Sequence, residues 1–121
     1  MNLKITAIRD AGDLYKERIV MRVMKSVDIG DYAILRTGFQ NQELDTRIKN
    51  AYWFPNKDVQ LGDYVIVYTK RGIDRYREFN AHISHFFYWG LSEPIWHTPD
   101  ISAVLLESPN WQSFPTKESN G

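Results

Sequence analysis

An all-β domain of two packed layers is the fold class this sequence predicts, on three observations. The apolar runs are short and rich in β-branched and aromatic residues, which suit a pleated, half-buried surface better than a helix. Within several of them apolar and polar residues alternate with a period of two, the signature of a strand with one wet side. The breakers fall between the runs: Pro55, Pro94, Pro99, Pro109 and Pro115 interrupt none of them. About seven short runs with regular punctuation read as a sandwich or barrel.

Taken in order, residues 3–8 alternate Leu3, Ile5 and Ala7 against Lys4, Thr6 and Ile8. Residues 18–24 put Ile19, Met21 and Val23 on one side and Arg18 and Arg22 on the other. Residues 32–37 form a third run and 51–54 a short fourth. In residues 63–69, Tyr64-Val65-Ile66-Val67-Tyr68 is apolar on both faces, as in a central strand. Residues 83–89 and 102–107 complete the set. Residues 39–50 fit either a short helix, with Leu44/Ile48 and Glu43/Arg47 at i,i+4, or a polar excursion between strands. Residues 13–17 suit one helical turn capped by Asp13.

The 121 residues fit a single domain, expected over residues 1–115, with a small polar tail at 116–121 expected to be frayed. Lys and Arg total 15, as do Asp and Glu. This balance disfavours broad attraction to nucleic acid or an anionic membrane. Locally it breaks: residues 70–77 (Lys70, Arg71, Asp74, Arg75 and Arg77 around Gly72, Ile73 and Tyr76) carry four bases and one acid. There is no cysteine, which excludes disulfides, thiol nucleophiles and thiolate metal sites. With no signal-peptide pattern and no apolar run near the roughly 20 residues that span a bilayer, a cytoplasmic location is expected.

One local device occurs twice. Asp28-Ile29-Gly30-Asp31-Tyr32-Ala33-Ile34 is echoed 32 residues later by Gln60-Leu61-Gly62-Asp63-Tyr64-Val65-Ile66. Each copy reads as an apolar plug, a Gly-Asp turn and a strand, with Asp31 and Asp63 placed to cap backbone amides.

The order of motifs from residue 17 to 107 resembles lamin-tail domains. The resemblance rests on Val27-Asp28-Ile29-Gly30-Asp31-Tyr32-Ala33-Ile34, then Ala51-Tyr52-Trp53-Phe54-Pro55, then Val59 through Thr69, with Phe86–Leu91, Pro94-Ile95-Trp96 and Ala103–Leu106 similar to the closing strands. The chain departs from the family pattern at Leu61, where a proline is usual, and at Asp100-Ile101-Ser102, where a glycine is usual. The resemblance implies an immunoglobulin-like antiparallel β-sandwich of about seven strands, with room for one short helix, acting as an interaction module without an active site of its own.

Three groups of residues carry candidate chemistry. Arg71, Arg75 and Arg77, with Tyr88 and Trp96, form the expected contact surface: aromatic anchors beside cations that orient a partner. Trp96, in a proline-bounded loop, is the aromatic expected to be most exposed. The expected partner is a protein or other macromolecule, and the alternative partner is nucleic acid held by the basic loop 70–77. In residues 84–89, Ser84, Phe86 and Tyr88 should share one face and His85, Phe87 and Trp89 the other, one of them core. His82, His85, His97 and Asp100 compose the rival reading, a metal-dependent enzyme. Spacing argues against it, because residues 82 and 85 of one strand point to opposite faces. No phosphate loop, nucleophile elbow or zinc-protease motif is present. The leading reading therefore assigns no catalytic residue, no metal ligand and no cofactor.

Overall fold

A computed structural model describes residues 1–117. Ten strands and one 3-10 turn follow one another along the chain: β1 (Leu3–Arg9), β2 (Arg18–Val23), β3 (Val27–Asp28), the turn Ile29–Asp31, β4 (Tyr32–Gln40), β5 (Glu43–Trp53), β6 (Asp58–Val59), β7 (Tyr64–Tyr68), β8 (Arg75–Phe79), β9 (His82–Tyr88) and β10 (Ile101–Glu107). They form a five-stranded sheet in the order β1-β2-β7-β9-β8, a three-stranded sheet β10-β4-β5 and a small β3-β6 pair. The class is the expected one, a β-sandwich.

The inward face of each sheet supplies the shared core. Ile19, Met21, Val65, Val67 and Phe87 from the larger sheet meet Tyr32 and Ile34 from the smaller and Phe54 just after β5, all at most 3% exposed. The rings of Phe54 and Phe87 touch edge to face at 5.3 Å. Burying a side chain of this size contributes about 1.5–3 kcal/mol, so this layer holds the two sheets together. Tyr32 is buried, and its hydroxyl is bonded to the Glu107 carboxylate of β10. Burial and that carboxylate push the phenol up to about 12.

Two features of the strand arrangement depart from expectation. Residues 39–50 are neither helix nor loose excursion. They complete a long β4–β5 hairpin, reversed at Asn41 and Gln42 with φ of 53° and 66°. A spacing of four puts Leu44 and Ile48 on one side of a strand as readily as on one side of a helix, so the pattern was ambiguous. Second, the larger sheet is not wholly antiparallel. After β7 the chain crosses to the sheet edge, forms β8, and returns as β9 between them, so β7 and β9 run parallel. A hairpin inserted this way leaves no trace in the hydrophobic pattern.

The repeated device opens one strand in each sheet, β4 and β7. Asp63 performs the expected capping, accepting from the Gln60 and Ile83 amides at 3.0 and 3.1 Å. In the first copy Asp28, rather than Asp31, does so, accepting from Gly30 and Lys57 at 2.8 and 2.9 Å. The expectation for Asp31 is thereby corrected. Gly62 needs its freedom, since its φ is +90° and the His82 ring lies where a Cβ would stand. Of the expected tail, residues 118–121 lie outside the described residues. Among the described residues no helix is long and apolar enough to cross a membrane.

Candidate functional site

Strand alternation sends every second side chain of the five-stranded sheet away from the core. Three rows result. Lys4, Arg22, Tyr64, Ser84 and Arg77 lie side by side across β1, β2, β7, β9 and β8. Ala7, Val20, Ile66, Phe86 and Arg75 form the next row. Arg9, Arg18, Tyr68 and Tyr88 form the third. No Asp or Glu occupies a position in these rows. The cations stand on the flanking strands β1, β2 and β8, whereas the middle strands β7 and β9 carry apolar and aromatic side chains and Ser84.

The rings order the cations. The Arg22 guanidinium lies 5.3 Å from the centre of Tyr64, Arg75 lies 5.3 Å from Phe86, and Arg18 lies 5.9 Å from Tyr68. Lys70 sits 5.0 Å from Tyr68 on the same face. Such contacts contribute about 0.5–1 kcal/mol at exposed sites, enough to bias a flexible side chain without neutralising it. Arg18 also pairs with Asp10 at 2.7 Å. Lys4, Arg9, Arg22, Arg75 and Arg77 have no carboxylate partner among the described residues. Tyr68 and Tyr88 stack at 5.5 Å with planes 13° apart. The β7–β8 crossing packs on the outer side of Tyr88 through Gly72, where a Cβ would fall within 2.3 Å of the ring. Any side chain at 72 must therefore displace the ring or the loop.

The core end of the same sheet contains two buried polar devices that the sequence reading missed. Glu17 is fully buried. Its carboxylate accepts from the amides of Gly12, Ile95 and Trp96 at 3.0, 2.9 and 3.1 Å and from the Thr69 hydroxyl. Burial pushes its pKa up, but these donors outweigh burial and hold it below the ordinary carboxylate value. Glu17 thus ties the loop after β9 to the ends of β2 and β7. His85, 3% exposed, bonds through Nε2 to Asp63 at 2.9 Å. Burial lowers the His85 pKa despite the attraction of Asp63, so the imidazole is neutral at pH 7 and donates to the carboxylate. Asp63 is pushed up by burial but held low overall by His85 and its two backbone donors.

The structure brings some expected residues together and separates others. Arg75 and Arg77 stand on edge strand β8, not in a loop, and share the outward face with Tyr88. Arg71 lies exposed in the crossing that precedes β8. Trp96 does not belong to this surface. It is 6% exposed, packs on Trp89 at 6.1 Å and is drawn inward by Glu17. Its expected exposure is corrected: proline boundaries mark a loop but not the side toward which it folds. Ser84, Phe86 and Tyr88 face outward, and His85 and Phe87 face the core, as alternation required. The histidines diverge, with His82 against Gly62, His85 on Asp63 and His97 beside Gly12. Among the described residues no group of three or more His, Asp or Glu side chains is placed to hold a metal ion.

The smaller sheet presents a different outward face. Ala33, Leu35, Ala51, Trp53, Val104 and Leu106 lie on it in register. Trp111, from the segment after β10, meets Trp53 edge to face at 4.9 Å. A shallow apolar cleft of about 270 Å³ lies between Trp53, Trp111 and Leu106.

No protein-family model matches the chain, and searches of the curated proteins and of the solved structures give no match either.

Proposed function

We propose that this protein is a non-catalytic interaction module, an immunoglobulin-like sandwich of the lamin-tail kind, that binds an anionic macromolecule through the outward face of its five-stranded sheet. One observation carries the reading: Arg and Lys flank rows of aromatic side chains on a face where no strand position holds a carboxylate. In a chain of zero formal net charge, the face is locally cationic, with Asp10 neutralising Arg18 at its end. A cationic face of this kind attracts and orients an anionic partner even when the whole molecule is neutral. The order of motifs from residue 17 to 107 supports the family part of the reading.

The test is retention on an immobilised sulfated polysaccharide. Wild-type protein should bind at about 50 mM salt and elute as salt rises, because contacts that release counterions are salt-dependent. Arg75→Glu combined with Arg77→Glu should remove retention while lowering stability by no more than about 1 kcal/mol, the scale of the lost Arg75–Phe86 contact, as both side chains are exposed. Wild-type protein that binds no polyanion at low salt would remove the reading.

A further inference from the structure

We infer that the occupant of this face is a single-stranded nucleic acid whose phosphates follow the two cationic rims and whose bases lie on the floor between them. The inference rests on the proposed function and narrows its partner class. Its basis is the way charge is arranged across the sheet. One rim is Lys4, Arg9 and Arg22 on β1 and β2, and the other is Arg75 and Arg77 on β8. Between them β7 and β9 present Tyr64, Ile66, Tyr68 and Phe86, with Ser84 as a small polar residue, while Tyr88 is covered by the crossing at Gly72 and backs Tyr68 from the side.

Neighbouring strands are about 4.8 Å apart, so β2 and β8 stand roughly 14 Å from each other across this floor. A polymer bearing charge along its whole width would leave the floor desolvated against charged groups. A single strand of nucleic acid carries phosphate along one edge and flat, partly apolar bases along the other, and so matches rim and floor together. Bases stack on aromatic rings and on guanidinium planes without regard to sequence. The Arg22–Tyr64 and Arg75–Phe86 pairs present such planes already ordered, at 5.3 Å in each case. Rings two residues apart on one strand are separated by about 7 Å, far enough to receive separate bases. A duplex keeps its bases stacked inside and offers this floor nothing but phosphate.

The experiment measures affinity by fluorescence anisotropy for four probes. They are a labelled oligothymidylate, the same length of duplex DNA, a sulfated oligosaccharide of equal charge, and vesicles containing an anionic phospholipid. Wild-type protein should prefer the oligothymidylate. Phe86→Ala should weaken that binding at least about fivefold, the lower end of the loss per stacked base, and leave sulfated-oligosaccharide binding unchanged. Arg77→Ala should weaken both and reduce the salt slope by about 1. Arg47→Ala, at the far hairpin, should change nothing. Because Phe86 is half-buried, thermal melting of each variant accompanies the titration. Tyr64→Phe, which keeps the ring and removes the hydroxyl, serves as a second variant, expected to retain stacking within about twofold. Equal binding of all polyanions, with Phe86→Ala silent on every probe, overturns this inference and leaves the charge-based reading standing. Preference for duplex or vesicles overturns the inference as well. Absence of binding to all four probes overturns both.

Discussion

The two outward faces of the sandwich are built by the same alternation and end in opposite chemistry. On the larger sheet the outward positions hold Arg, Lys and Tyr around a short apolar strip. On the smaller sheet they hold Ala33, Leu35, Ala51, Trp53, Val104 and Leu106, with no charge among them. The chain itself deals with the second face: it turns back after β10, where the Ser108 amide donates to the Asp31 carbonyl at 2.7 Å, and brings Trp111 onto Trp53. Among the described residues nothing comparable lies over the first face beyond the crossing at Gly72. An apolar face is costly in water and is partly covered from within. A charged face is stable in water and can be left open for a partner. This contrast is the reason the larger sheet is the face we propose for binding.

Three perturbations separate the shared interior from the two faces, in decreasing order of effect. Glu17 belongs to neither face and should matter most. Glu17→Ala leaves the buried amides of Ile95 and Trp96, the Gly12 amide and the Thr69 hydroxyl without their acceptor, which should cost on the order of 3 kcal/mol or more in urea denaturation. A loss under 1 kcal/mol would mean that the loop carrying Trp96 is held by packing alone.

Acid should act next, again through the interior. Glu17, Asp63 and His85 all have pKa values below their ordinary 4.5, 3.8 and 6.5. In each case the unfolded chain takes the proton more readily. Stability is therefore complete above about pH 6.5 and falls as pH drops, first through the His85 range and then through the carboxylate ranges. Denaturation midpoints at pH 7.5, 5.5 and 4 should decline in that order. A rise between 7.5 and 5.5 contradicts the assignment of a neutral buried His85.

The smallest of the three effects tests the cover on the apolar face. Trp111 is 62% exposed, so Trp111→Ala should lower stability by only about 1 kcal/mol, the scale of one edge-to-face pair. It should increase binding of a hydrophobic dye and self-association. No change in dye binding would show that Trp111 does not shield Trp53.

Much of this was legible in the sequence, and the rest was hidden for physical reasons. Period-two alternation exposed β1, β2, β7 and β9, and it sorted Phe86 and Tyr88 from His85 and Phe87 correctly. The Arg cluster was visible as composition, but its location on an edge strand was not, because the parallel insertion of β9 is a long-range choice without a local mark. The β5 strand was obscured because a spacing of four serves helix and strand alike. Glu17 was invisible, since an acid before a strand ordinarily reads as solvated, and only the folded loop delivers its donors. Trp96 misled for the same reason, being a loop residue drawn inward by that carboxylate.

The most direct test of the account is a residue-level footprint. Amide resonances of isotope-labelled protein, followed during titration with oligothymidylate in low salt, should shift on β7, β9 and β8, at 64–68, 84–88 and 75–77, while those of 33–35, 51–53 and 104–106 stay in place. Shifts confined to the smaller sheet, with the larger one silent, would contradict it.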